Sequence, residues 1–171
     1  GQLVGYLPQR VELFDGTIAD NIARLSPDPD PEKIVAAAKR ADAHEMILKL
    51  PNGYDTRVTP SGGRLSGGQI QRIGLARAMY SDPVILVLDE PNSNLDNEGS
   101  LALNAAIKSM KADGKSVIIM AHRPAAIQEC DLLLMLDNGA AKSFGPKEDV
   151  LREVVKNAQQ IQQSTGQGGV R

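Results

Sequence analysis

The stretch VILVLDEP, residues 84–91, places five consecutive apolar residues directly before two carboxylates. A continuous apolar run of this length is typical of a strand buried on both faces of a parallel sheet. A second such run, VIIMA in the stretch VIIMAHRP (residues 117–124), is followed directly by a histidine. A helical pattern over residues 97–112 lies between the two runs. The order strand, helix, strand predicts a βαβ unit and therefore an α/β fold.

Further apolar segments are expected to belong to the same sheet. LLLML, residues 132–136, is expected to be another buried strand, and DNG at 137–139 a hairpin turn. LVGYLPQ, residues 3–9, is expected to be a short buried strand. A single strand cannot bury both of its faces, so we expect an N-terminal part of the domain to lie upstream of Gly1.

Polar side chains follow two of these predicted strands. Asp89 and Glu90 come directly after one apolar run, and His122 follows another. Ligands of open parallel sheets bind beyond the carboxyl ends of the strands, where one carboxylate can hold a cation and another can orient water. The alternatives are an acidic turn that merely ends a strand and a structural histidine.

The segment LSGGQIQRIGLARAMY, residues 65–80, opens a predicted helix with an unusual first turn. A capping box explains Ser66 as the N-cap and Gln69 at the third helical position. It does not explain Gly67 and Gly68, because glycine is costly in a helix unless something must approach the backbone closely. Exposed N–H groups at a helix start bind anions, so we interpret the four residues as a phosphate contact.

Composition narrows the class of protein. The chain has 171 residues, 42% of them hydrophobic and 23% charged, with a formal net charge of -2. This balance argues against a nucleic-acid partner. One cysteine, Cys130, excludes an internal disulfide framework. No apolar run approaches the ~20 residues of a membrane-spanning helix. We therefore expect a cytosolic chain or the cytosolic part of something larger.

Together these motifs resemble those of the ATP-binding-cassette (ABC) ATPases. The matching segments, in the family's order, are the Q-loop GYLPQRVELFDGTI (5–18), the signature LSGGQ (65–69), the Walker B strand VILVLDEP (84–91), the D-loop NSNLD (92–96) and the switch-histidine segment AHRP (121–124). The resemblance implies a partial P-loop NTPase fold with buried parallel strands and a helical subdomain, lacking its N-terminal part.

The resemblance also implies roles at the sheet edge, with ATP as ligand and Mg²⁺ as cofactor. Asp89 would help to hold Mg²⁺, and Glu90 would polarise the attacking water. His122 would contact the γ-phosphate. Gln9 would contact the metal or the attacking water and sense a transmembrane domain.

Further implied roles lie between two subunits. Ser66, Gly67, Gly68 and Gln69 would clamp the γ-phosphate of ATP held by a second nucleotide-binding domain in a homodimer. Asp96 in the D-loop would act across that interface.

The implied domain organisation divides the chain into three parts. Residues 1–9 and 81–150 would form part of the catalytic core, and residues 10–80 a helical subdomain with the Q-loop and the signature. The polar residues 151–171 are expected to be a disordered tail.

The subtype resembles exporters, and most closely the bacterial type I protein secretion ATPases. LFDGTIADNI (13–22), HEMILKLPNGYDTRV (44–58) and AHRPAAI (121–127) carry this resemblance. It implies a transmembrane domain, membrane fusion and outer-membrane components as partners. It also implies a location at the cytoplasmic face of the inner membrane.

Two departures from the family pattern leave an alternative open. No G-x-x-x-x-G-K-[ST] motif occurs, and DGKS at 113–116 is interpreted as a surface turn before a strand. VTPSGG at 58–63 stands where exporters carry an acidic stretch. The chain is therefore expected to be inactive alone. The alternative is a regulatory module that donates only its signature. A soluble ABC ATPase of DNA repair or translation is a weaker third reading.

Overall fold

The computed structural model describes residues 3–60, 63, 65–92, 95, 97–122 and 124–166. Three parallel strands form its main sheet: β1 (Val4–Leu7), β4 (Ile85–Asp89) and β5 (Ser116–Met120), in the spatial order β1-β4-β5. Leu7 pairs with Leu88, and Asp89 pairs with Met120. All three strands therefore end at the same edge, as the sequence predicted for β4 and β5.

Two helices pack against this sheet. They are α4 (Gly67–Met79) and α5 (Asn97–Ala112), and α5 matches the predicted range 97–112. Their apolar side chains share one buried cluster with Leu7, Leu86 and Leu88 of the strands. Burial of the strands alternates, because Tyr6 on β1 and Met120 on β5 lie on the opposite face and remain exposed.

A helical layer precedes α4 in the chain. It comprises α1 (Ile18–Ile22), α2 (Pro31–Arg40), α3 (His44–Leu48), a 3-10 turn (Gly53–Asp55) and the small antiparallel pair β2 (Gly16–Thr17) and β3 (Arg57–Val58). Thr17 caps α1 in a capping box with Asp20, and Asp30 caps α2 with Pro31 at its first position. These caps bond N–H groups of the first turn of each helix, which would otherwise lack partners.

A buried asparagine fixes the loop between β1 and α1. Asn21 is fully buried, its Oδ1 accepts from the N–H of Phe14 at 2.7 Å, and its amide donates to the carbonyls of Phe14 and Thr17. A buried amide is costly unless it is hydrogen-bonded, so these bonds make Asn21 a structural residue. They hold the segment that follows Gln9 against α1.

One arginine joins the helical layer to the start of the sheet. Arg40, at the end of α2, pairs with Asp82 at 2.7 Å and with Asp113 at 3.1 Å. Asp82 precedes β4, and Asp113 precedes β5. Lys115 also contacts Asp82. The network therefore fixes the beginnings of the two strands whose far ends carry the candidate site.

A second compact unit begins at Cys130. It contains the antiparallel pair β6 (Leu132–Asp137) and β7 (Ala140–Pro146), then α6 (Lys147–Gly166). The predicted hairpin turn at 137–139 is confirmed, but the prediction that 132–136 is a strand of the parallel sheet is wrong. The run is apolar on both faces, and this pattern alone does not separate parallel from antiparallel pairing.

The expectation of a disordered tail is wrong for residues 151–166, which belong to α6. Acidic Glu148 and Asp149 favour a helix start at its first turn, and apolar residues from Val150 to Val155 recur at helical spacing. Residues 167–171 lie outside the described residues. The helical layer and the parallel sheet both belong to the compact unit 1–129, and the expected division into catalytic core and helical subdomain stays a prediction.

Candidate functional site

Parallel pairing brings the predicted polar residues to one edge of the sheet. Gln9 lies two residues beyond β1, Asp89 is the last residue of β4, and Glu90 follows it. His122 lies two residues beyond β5. Because the three strands are adjacent and in parallel register, their ends form a row of polar groups at the position where open α/β sheets bind ligands.

Glu90 has a constrained backbone. Its φ is +48°, in the left-handed region that side chains other than glycine rarely adopt. Its N–H donates to the carbonyl of Met120 at 2.8 Å, which continues the β4–β5 ladder one residue past the strand. Strained positions of this kind cost on the order of 1–3 kcal/mol and cluster at functional sites. The strain here directs the side chain that follows the strand.

Glu90 and His122 are in direct contact. Nδ1 of His122 lies 2.5 Å from Oε1 of Glu90, so with an ionised carboxylate the ring N–H donates to it. The Glu90 side chain is 21% exposed and that of His122 is 66% exposed. The pair therefore consists of a mostly buried carboxylate oriented by a solvent-facing imidazole. Such a pair can hold a water molecule and accept its proton.

Asp89 has a neighbour on β1. The hydroxyl of Tyr6 donates to Oδ2 of Asp89 at 3.3 Å, between adjacent strands. Partial removal from water raises the pKa of Tyr6, and the Asp89 carboxylate raises it further. The hydroxyl therefore keeps its proton and remains the donor. Tyr6 was not singled out in the sequence, since an exposed aromatic at a strand position gives no sign of its cross-strand partner.

The donor set at this edge fits Mg²⁺. Within the described residues, no three histidine, cysteine, aspartate or glutamate side chains gather into a ready-made metal cage. Mg²⁺ keeps several waters and binds through one or two carboxylates together with substrate phosphates, so a full cage is not required. Asp89 supplies a carboxylate oxygen at this edge, the kind of ligand that this ion prefers.

The start of α4 confirms the predicted capping box. Ser66 is the N-cap, its Oγ accepts from the N–H of Gln69 at 3.2 Å, and Oε1 of Gln69 accepts from the N–H of Ser66 at 2.8 Å. Gly67 is exposed, and beyond its chain neighbours and the backbone of its own helix no atom lies within 4 Å of the place where a Cβ would stand. The turn is therefore open beside Gly67. The capping box engages the N–H groups of Ser66 and Gln69 and leaves those of Gly67 and Gly68 for an anion.

The signature helix also contacts the turn after Glu90. Gln71 on α4 is buried, and its Nε2 donates to the carbonyl of Pro91 at 3.4 Å. The signal that could have identified Gln71 is a polar residue on the inward face of an amphipathic helix. Asp96, the predicted D-loop residue, lies outside the described residues. Within the described part of the chain, no helix is both long and apolar enough to cross a bilayer.

Comparison with known proteins gives consistent matches. Residues 1–93, more than half of the chain, match the model of the ABC transporter family. A type I secretion system ATP-binding protein of Rhizobium meliloti is 56% identical over 159 residues, covering 93% of this chain and 27% of the relative. An ATP-dependent lipid A-core flippase of Saccharophagus degradans is 43% identical, covering 86% of this chain and 25% of the flippase.

The fold has a matching solved structure. A bacterial Atm1-family ABC exporter with ATP bound superposes with a TM-score of 0.80 at 36% identity, covering 89% of this chain and 27% of that one. The chain thus spans about a quarter of the length of the relatives it matches. The likeness confirms the predicted α/β fold.

Proposed function

The chain belongs to the ABC transporter family, and we propose that it forms the signature-bearing part of an ATPase domain that drives export across a membrane. The single observation that carries this proposal is the contact of Glu90 with His122 at the edge of a parallel sheet. Such a pair suits phosphoryl transfer to water, which depends on positioning and charge stabilisation. The activity belongs to the whole protein that contains this chain.

Glu90 acts as the base of this proposed reaction. Its carboxylate polarises the attacking water, and the N–H of His122 fixes the carboxylate's direction. Asp89 and Gln9 hold Mg²⁺, which neutralises phosphate charge when it is bound. The hydroxyl of Tyr6 restrains Asp89 from the neighbouring strand. His122 is largely exposed and is also free to reach the γ-phosphate.

The signature acts on ATP held by a second copy. Ser66, Gly67, Gly68 and Gln69 present a capped but open helix start, which attracts phosphate through its N–H groups and helix dipole. Asp96, which follows Asp89 and Glu90 in the sequence, acts across the same interface in this proposal. ATP bound between two such surfaces promotes a homodimer, and hydrolysis releases it. A transmembrane domain couples this cycle to transport.

We further propose that the cargo is a protein secreted by a type I pathway. The 56% identity to a type I secretion ATP-binding protein supports this class over the lipid flippases, at 43% identity. The transmembrane domain would then cooperate with membrane fusion and outer-membrane components. The site would lie at the cytoplasmic face of the bacterial inner membrane.

A comparison of two strains tests the cargo class. One strain carries the intact full-length protein, and the other carries it with Glu90→Gln. Loss of one or more polypeptides from the culture supernatant of the variant supports protein secretion. An unchanged supernatant, with a lipid retained in the inner leaflet, would instead assign the protein to lipid transport. Glu32→Gln, an exposed substitution on α2, serves as the control.

A further inference from the structure

Gln71 is a polar residue on the buried side of the signature helix. It is 4% exposed, and the residues around it include the apolar side chains of Leu7, Leu75 and Leu103. A buried amide without a hydrogen bond costs about 1–3 kcal/mol, whereas a leucine or methionine would be stabilising at the same place. Packing alone therefore does not account for a glutamine at this position.

The partner of Gln71 is the backbone next to the proposed base. Its Nε2 donates to the carbonyl of Pro91, at a distance of 3.4 Å. Pro91 is itself buried and has no N–H, so its carbonyl is its one backbone hydrogen-bonding group. Pro91 directly follows Glu90, whose backbone is held at a φ of +48°. The amide of Gln71 thus contacts the strained turn that directs the carboxylate.

The other end of this connection is the signature. Helix α4 begins at Gly67, and Gln71 lies one turn further along the same helix. A rigid helical turn therefore separates the anion-binding start of α4 from the amide that contacts Pro91. The side chain joins two parts that the proposed function assigns to different ATP molecules: the signature, which acts on the opposite copy's ATP, and the base, which acts on its own.

We propose that Gln71 is a positioning residue that links the signature helix to the Glu90 turn, so that seating of the signature sets the direction of the base. The inference rests on the proposed function. The N–H of Glu90 already bonds the carbonyl of Met120, so the Gln71 amide adds a second hydrogen bond to the same turn, from the side of the signature helix. This bond ties the position of the turn to that of α4.

The test replaces Gln71 in the full-length protein, reconstituted in nanodiscs. Gln71→Met keeps the side-chain length and removes the donor, and Gln71→Asn keeps the amide but shortens its reach. Both variants are expected to lower kcat for ATP about tenfold, with KM for ATP changed less than twofold. Gln71→Met is expected to keep or raise the melting temperature, because it removes a buried polar group. A purely structural role would instead make kcat and stability fall together.

The control is Leu75→Met, a volume-conserving change one turn further along the same helix, at a residue that lines a small cavity together with Gln71. It is expected to leave kcat within twofold. The proposal is overturned if either Gln71 variant keeps kcat within twofold of the wild type, or if Leu75→Met loses as much kcat. Glu90→Gln separates failure of the proposed function from failure of the positioning role. If Glu90→Gln retains ATP hydrolysis, the proposed function fails. If hydrolysis is lost in Glu90→Gln but kept in Gln71→Met, only the positioning role of Gln71 fails.

Discussion

Nδ1 of His122 lies 2.5 Å from Oε1 of Glu90, although 32 positions separate the two residues in the chain. The contact exists because β4 and β5 are paired in parallel with Asp89 opposite Met120, so the residues just beyond both strands are brought together. The left-handed backbone at Glu90 directs its carboxylate toward the histidine. The geometry of the Glu90–His122 pair therefore depends on the register of β4 and β5.

The histidine can be removed without disturbing the core. His122→Ala in the full-length protein is expected to lower kcat for ATP by about 100-fold or more, because the carboxylate of Glu90 loses the donor that orients it. The melting temperature should change little, since the side chain is 66% exposed. Steady-state phosphate release measures the effect. Hydrolysis within twofold of the wild type would show that the pair does not act in catalysis.

A substitution in the open first turn of the signature helix can change ATP hydrolysis without lowering the stability of the fold. Gly67→Ala introduces a methyl group into free space, so the fold should be unaffected or stabilised by up to about 1 kcal/mol. ATP hydrolysis is nevertheless expected to fall at least tenfold, because the methyl group obstructs a phosphate approaching the backbone. The matched control is Gly145→Ala on β7, where the nearest atom is 4.0 Å away. Equal activity of the two variants would contradict a phosphate contact at Gly67.

The charge network at the beginning of the sheet predicts a pH dependence. Hydrogen bonds from Lys115 and then Arg40 lower the pKa of Asp82 below its ordinary value of 3.8. A lowered pKa means that the folded state binds this proton less readily than the unfolded state. Its contribution to stability is therefore full above the ordinary pKa and is lost as the pH falls through the folded value.

Asp82→Asn should abolish this part of the acid sensitivity. Thermal unfolding of the 171-residue chain, followed from about pH 5 downward, is expected to be less pH-dependent in the variant than in the wild type. The comparison is made against Asp55→Asn, a change in the 3-10 turn away from the network. Identical pH profiles for wild type and Asp82→Asn would show that the network adds no stability.

The sequence predicted much of this arrangement because its strongest signals are local or periodic. Ser66 carries cap chemistry that depends only on the three residues after it, and it caps α4 as predicted. The common edge of β4 and β5 followed from the parallel order of strands and helix. Each of these structural features is determined by a few residues that are close together in the sequence.

Other features depend on contacts that no local pattern contains. The bond from Gln71 to Pro91 joins residues 20 positions apart, and the bond from Tyr6 to Asp89 joins residues 83 apart. The antiparallel pairing of β6 was missed because an apolar run is compatible with either strand direction. The helical tail was missed because glutamine-rich composition obscured the helical spacing that ends near Val155.

ATP hydrolysis by the Glu90→Gln variant of the full-length protein tests the central claim most directly. Glutamine keeps the shape of the side chain and removes the base, and Glu32→Gln controls for loss of a carboxylate elsewhere. We predict that turnover falls by at least about 100-fold while ATP still promotes dimerisation. Undiminished hydrolysis in the Glu90→Gln variant would contradict the assignment of Glu90 as the base and with it the proposed site.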